Sequence, residues 1–398
     1  MSVANVLQFR ELPTGIELVA PFGIFKVRNG IAIGSRCCEV YDGVDCATGE
    51  EVALKVFRRH QEYRGALQRE LFFLHTLNSP GAPVVKHIGE LKWEGRDVLV
   101  QELLSHTLRD ILLLHEDSAC SPWFVITLTM HLLRGLKHLH DNGIVHADLK
   151  PPNIMWDANT STFKLVDFGV SFATSEKFVH AVQSKGYQAP ECVQWNGRVT
   201  EAGRSTLPLE RPGLPADIWS VGCIITESLT GSRLFSDALK FDDIAGIVKS
   251  ALMTACNNYS HKFLKEAYNF IIRCLQITPE QRASAWDLLC DPWLLYHCRP
   301  SFNDLLLLPT AVLRILNVID ANSPSHLNAE KIMLNTCQKY GSVSSYHLEV
   351  TIGNFYVRYE SASVAEIALP LIANMIFNDR VLIVTFYPLN SWEKKEFY

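Results

Sequence analysis

The hydrophobic period of this 398-residue chain changes twice, and those changes limit the folds open to it. Residues 25–57 alternate as strands do, with FGIFKV, CEVYDG and EVALKVF separated by Gly and Asp turns. Residues 59–78 switch to helical spacing through Leu67, Leu71 and Leu74, and two more strands follow near VVKHIGEL and DVLVQEL. Beyond residue 105, amphipathic stretches at 123–141 and 262–276 predict a mostly helical body. Residues 193–216 hold Gly, Pro and charges without period and read as a long surface loop. Past 297 the order becomes strand, helix, strand, strand, helix, strand. The expected class is α+β: a small β-rich lobe, a larger helical lobe, and a separate βαββαβ unit.

Composition narrows the options. A net charge of −5 offers no bulk basic surface for nucleic acid or anionic membrane. The longest apolar runs, at 305–308 and 381–387, are too short to span a bilayer. The opening MSVANVLQFRELPTG has none of the charged, apolar and small-residue zones of a secretion signal. The 11 cysteines include no C-x-x-C pair, which fits a reduced intracellular chain better than a disulfide or zinc framework.

Four charged or amide side chains then suggest one chemistry. VALK puts Lys55 at a strand end, and Glu70 follows fifteen residues on along a helix, where a carboxylate can fix the direction of an ammonium. VHADLKPPNIMW, at 145–156, holds Asp148, Lys150 and Asn153 at the spacing of a phosphoryl-transfer loop, and VDFG supplies Asp167. The oxygen donors of Asn153 and Asp167 suit Mg²⁺. YQAPE, DIWSVG and PEQRAS follow in order with Glu191, Asp217 and Arg282.

With these motifs in series, residues 27–296 resemble a eukaryotic protein kinase, and Lys150 and Ser184 give them a serine/threonine character. The resemblance implies a bilobal fold that uses ATP and Mg²⁺. Asp148 and Lys150 serve the acceptor hydroxyl, Lys55 and Glu70 the phosphates, and Asn153 and Asp167 the metal. It places Ile33, Gly34, Val40 and Ala53 against the nucleotide. Glu102 and Leu104 offer backbone groups to adenine, with Gln101 behind them. Glu191–Arg282 and Asp217 become structural.

Two departures carry expectations. Ala147 stands where many kinases have an Arg that needs a phosphate for neutralisation, so the activation segment, 167–191, should order by packing alone. The glycine positions of the phosphate loop hold Ile33, Ser35 and Cys38, which predicts weakened nucleotide binding. The alternative reading is a pseudokinase adaptor that acts through its C-terminal unit.

That unit, 312–390, reads as VLRILNVI, then a helix AEKIMLNTCQKYG capped by Gly341, a hairpin around Gly353-Asn354, a second helix, and RVLIVTFY as last strand. It resembles an RNA-recognition motif, but Arg314 and Asn354 occupy two of its stacking positions, leaving Tyr356. Residues 297–398 hold 8 Lys+Arg against 9 Asp+Glu, so RNA is not the expected ligand. The splicing-factor homology variant of the fold, which captures a tryptophan peptide, is a better match. Its Arg-x-Phe triplet aligns with Met375, Ile376 and Phe377. A kinase bearing HADLKP joined to such a domain resembles the stathmin-interacting branch of the family. That likeness implies proline-directed serine phosphorylation, splicing-factor or stathmin-like protein substrates, a tryptophan-containing peptide ligand at Phe377, and a nuclear location with a share in the cytoplasm. The expected layout is an extension at 1–26, the kinase domain at 27–296, a linker at 297–311, the C-terminal domain at 312–390 and a tail at 391–398.

Overall fold

The computed structural model describes residues 12–32, 37–59, 61–114, 119–176, 180–200, 211–235, 241–295, 299–319 and 326–398. The small lobe is a six-stranded antiparallel sheet. Its strands are β1 (Glu17–Ala20), β2 (Gly23–Ala32), β3 (Cys38–Asp45), β4 (Glu51–Phe57), β5 (His87–Trp93) and β6 (Arg96–Glu102), with helix α1 (Gln61–Leu77) between β4 and β5. The order is β1-β2-β3-β4-β6-β5. The hairpin of β1 and β2 buries Leu18 and Phe25 under the sheet.

The large lobe opens with α2 (Leu108–Leu113), whose Thr107 and Asp110 form a capping box, and α3 (Pro122–Asp141), capped by Ser121 with Pro at its first turn. Short strands β7 (Ile144–Val145), β8 (Ile154–Asp157), β9 (Thr162–Leu165) and β10 (Phe172–Ala173) flank the loop between Asp148 and Asn153. Helices α4 (Pro190–Thr200), α5 (Leu214–Thr230), α6 (Ile244–Thr254), α7 (His261–Cys274) and α8 (Ala285–Leu289) complete it. From Ala216 to Leu229 every residue of α5 is buried, which makes it the axis of the lobe. Of residues 193–216, expected as loop, 193–200 continue α4, 214–216 open α5, and 201–210 lie outside the described residues. In α4 Cys192 is buried and Asn196 holds both backbone groups of Val182, contacts with no trace in the local sequence.

The connector carries a helix, α9 (Phe302–Leu307), whose Asp304 accepts a hydrogen bond from Ser121 Oγ at 2.6 Å. The C-terminal unit comprises β11 (Val312–Leu316), α10 (His326–Gln338), β12 (Val343–Glu349), β13 (Asn354–Tyr359), α11 (Ala362–Ile372), β14 (Ile376–Phe377), β15 (Arg380–Val381), β16 (Ile383–Phe386) and α12 (Leu389–Glu393). Its sheet runs β12-β13-β11-β16. Two expectations fail here. Gly341 does not cap α10, which ends at Gln338; a Cβ at Gly341 would meet Val364 at 2.1 Å, so close packing explains this glycine. RVLIVTFY is not one strand: Arg380–Val381 turns back onto Ile376–Phe377, and only Ile383–Phe386 joins the sheet.

The C-terminal unit touches both lobes. Trp156 Nε1 donates to the Pro309 carbonyl at 2.7 Å, and Leu308 and Ala362 sit in the core of the large lobe. At the start of α11, the Ala362 amide donates to Asn159 Oδ1 at 3.2 Å, and Ser363 Oγ donates to Glu51 at 2.6 Å, reaching the small lobe.

Candidate active site

The side chain of Lys55 leaves β4 on the face toward the inter-lobe cleft. Its ammonium lies 2.8 and 2.7 Å from the two oxygens of Glu70 on α1 and 3.0 Å from Asp167 Oδ1. Burial opposes the charge on Lys55, but Asp167 and Glu70 more than offset it and hold the ammonium well above its ordinary range. The charge of Lys55 in turn lowers Asp167, whereas burial pushes Glu70 up to about 7. Val40 stands opposite Lys55, and Ala53 opposite Gln101, so both line the same face of the sheet. Ile33 and Gly34 lie outside the described residues. Cys38 is buried opposite Phe57.

Across the cleft, Asp148 is held by three side chains. Lys150 Nζ donates to its Oδ2 at 2.7 Å, Ser184 Oγ to its Oδ1 at 2.8 Å, and Asn153 Nδ2 to its Oδ2 at 3.2 Å. Lys150 also donates to Ser184 Oγ at 2.9 Å, closing the ring. His146 Nε2 donates to the Val166 carbonyl and its Nδ1 accepts the Asp148 amide, which defines its tautomer and ties the loop to the segment before Asp167. Beneath, fully buried Asp217 accepts the amides of His146 at 2.8 Å and Ala147 at 2.9 Å, and His140 Nε2 lies 3.1 Å from it.

Ala147 has φ +65, Asp167 +66 and Gln183 +61, left-handed conformations that cost of order 1 kcal/mol each and persist because the surroundings over-determine them. Gln183 is the residue that sequence reasoning missed. Its amide donates to the Ala147 carbonyl at 2.7 Å, its Nε2 to Ala216 O and Ser220 Oγ, and its Oε1 accepts the Ala189 amide. A neutral side chain thus ties the activation segment to α5 next to Ala147. No local spacing signals this, because the partners lie 33 and 37 positions away. At the segment's end, Arg282 grips Glu191 through two bonds of 2.6 and 2.7 Å.

The hinge holds unsatisfied donors. Among the described residues, buried Gln101 Nε2 has no partner and the amide of buried Leu104 has no backbone acceptor. The carboxylate of Glu102 is taken by Lys164 at 2.8 Å and the Lys86 amide at 2.7 Å, and its own amide donates to the Lys86 carbonyl at 3.1 Å. Orphaned buried donors fit a heterocycle that carries acceptors, and the Lys55 ammonium fits phosphates.

A cleft between a helical lobe and a sheet, with an anchored ammonium opposite a positioned carboxylate, defines a phosphotransferase. Residues 28–294 match the protein kinase domain, and this chain belongs to the protein kinase family as a serine/threonine kinase. It is 31% identical over 315 residues to the serine/threonine-protein kinase Kist of human and of mouse, covering 75% of this chain and 73% of those proteins. A probable serine/threonine-protein kinase dyrk2 of Dictyostelium discoideum is 28% identical over 320 residues but is covered only to 33% of its length. Kinases of this family use ATP and Mg²⁺.

The sheet face of the C-terminal unit, where RNA-recognition motifs stack bases, is covered by the chain itself. Tyr356, expected as an open aromatic, is fully buried: Phe397 lies 4.9 Å from its ring and stacks on His347 at 4.0 Å. Arg314 Nη1 and Tyr356 Oη both donate to the Tyr398 carbonyl, at 3.0 and 2.8 Å. On the opposite side Phe377 and Met375 are half-buried against the core, and Ile376 is exposed. Among the described residues no helix is long and apolar enough to cross a membrane.

Proposed function

We propose that this kinase is catalytically active without a phosphate beside Ala147, moving the γ-phosphoryl of ATP to Ser or Thr hydroxyls of protein substrates. The observation that carries this reading is the Lys55 ammonium held by Glu70 and Asp167 together, the arrangement in which it can receive phosphate oxygens. Asp148 accepts the proton of the acceptor hydroxyl. Lys150 and Ser184 fix which carboxylate oxygen faces that hydroxyl. Asn153 and Asp167 are the residues that would hold Mg²⁺, which when bound neutralises charge on the transferring group. Gln183 supports the phosphate-independent state, because it holds with neutral hydrogen bonds a segment that other kinases order through ion pairs.

The C-terminal unit recruits protein partners on its helical side, around half-buried Phe377, by capture of an aromatic side chain such as tryptophan. Met375 supplies no charge there, so the ligand need not be acidic or basic. Splicing-factor or stathmin-like substrates are the expectation taken from the family branch. The decisive assay is phosphate transfer from Mg-ATP to a Ser-Pro and Ser-X peptide library. Asp148→Asn and Lys55→Arg should each lower turnover by about 10² or more while keeping the melting profile. Equal turnover in wild type and both variants refutes the proposal.

A further inference from the structure

A small cleft of about 210 Å³ opens between α2 and the end of α5, lined by Arg109, Leu112, Leu113, Glu227, Gly231 and Arg233. Its floor is tied to the acceptor site. Tyr187 Oη donates to Glu227 at 2.6 Å, the Tyr187 amide donates to the Ser184 carbonyl at 3.1 Å, and Ser184 holds Asp148. Gly186 has φ +88, and a Cβ there would lie 3.6 Å from Arg233 Cδ, so the stem of Arg233 runs under the activation segment. An extended peptide advances roughly 3.3–3.6 Å per residue, so scanning the positions on either side of the acceptor finds the register that meets this cleft.

The charges of the cleft decide what it holds. Glu227 is buried, and the Tyr187 phenol already occupies one of its oxygens. Arg109 is half-buried and Arg233 exposed, and among the described residues neither forms an ion pair or hydrogen bond. Leu112 and Leu113 wall the space for an aliphatic stem. An incoming cation would meet two guanidiniums and one engaged carboxylate, whereas an incoming anion finds two open forks of donors.

The geometry points to a substrate subsite in which Arg109 and Arg233 select an anionic side chain, Asp, Glu or a phosphorylated residue, a few positions from the phosphorylated Ser or Thr. This deepens the kinase reading and rests on it. The test uses the full chain and serine peptides carrying Ala, Glu, phosphoserine or Lys at each of the second to fourth positions on either side of the acceptor. At one register, Glu or phosphoserine should lower KM about tenfold relative to Ala, the scale of a hydrogen bond to a charged group, and Lys should raise it. A larger gain for phosphoserine than for Glu identifies a primed substrate. Arg233→Ala and Arg109→Ala should bring the ratio to about one while kcat moves less than twofold, and the lysine variants should keep part of the preference. A preference for Lys, or an anion preference untouched by both alanine variants, overturns the subsite. If wild type phosphorylates no peptide, the activity proposal falls by itself. The subsite is then judged by direct binding to the full chain: equal affinity for the Ala and phosphoserine peptides refutes it, and a phosphoserine advantage abolished by Arg233→Ala upholds it.

Discussion

Replacing Arg282 with Leu should cost the kinase domain far more than an ordinary surface pair would suggest. The guanidinium has no exposed side-chain area and makes five hydrogen bonds: two to Glu191, and one each to the carbonyls of Pro215, Gln276 and Ile277. It also lies 5.1 Å over the Trp219 ring. Leucine fills much of the volume but leaves a carboxylate that is 17% exposed and three carbonyls without donors. Removing one partner of a buried pair costs about 3–5 kcal/mol, because the other charge stays desolvated. At roughly 2 °C per kcal/mol for a domain of about 250 residues, the kinase transition should fall by about 6–10 °C in scanning calorimetry. Glu191→Gln is the informative contrast. The arginine would keep its three carbonyl acceptors and one amide oxygen, so about 1–2 kcal/mol is expected. A drop below about 2 °C for Arg282→Leu, or equal losses in the two variants, would show that the pair is solvated in solution and the reasoning wrong.

Glu70 offers a pH test. Burial raises its carboxyl to about 7, so KM for ATP should rise as pH falls through about 7, when protonation loosens its hold on Lys55. Stability has the opposite sign: a raised carboxyl favours the folded state below its unfolded value, and that contribution is lost as pH rises through about 7. Glu70→Gln should therefore flatten the acid limb of the activity profile; an unchanged limb refutes the assignment. Truncation after Trp392 should uncover Tyr356 and Val312, increase binding of an apolar dye, and cost about 1–3 kcal/mol from lost burial of Phe397 and Tyr398; an unaltered melt would show that the tail does not cover the sheet. Ser363→Asp puts a second carboxylate beside Glu51, so hydrogen exchange should rise at Asn159 and Ala362 while the isolated transitions keep their temperatures; unchanged exchange would mean that the domains do not dock there.

That Lys55 would meet Glu70 and Asp167, and Asn153 would meet Asp148, was legible in the sequence because charged and amide side chains stood at fixed spacing within local segments, each with its own strand, helix or loop signal. The switch in period from 2 to 3.6 likewise marked the lobes and the βαββαβ unit. Tertiary structure alone decided the rest: Gln183 as anchor of the activation segment, the arginines facing Glu227, the tail laid over Tyr356, and α11 bridging Asn159 and Glu51. These contacts join residues 33 to 312 positions apart, or depend on which of several equivalent polar side chains finds a partner. Periodicity records only which face of an element is buried, whereas the identity of what covers that face is fixed when the whole chain closes.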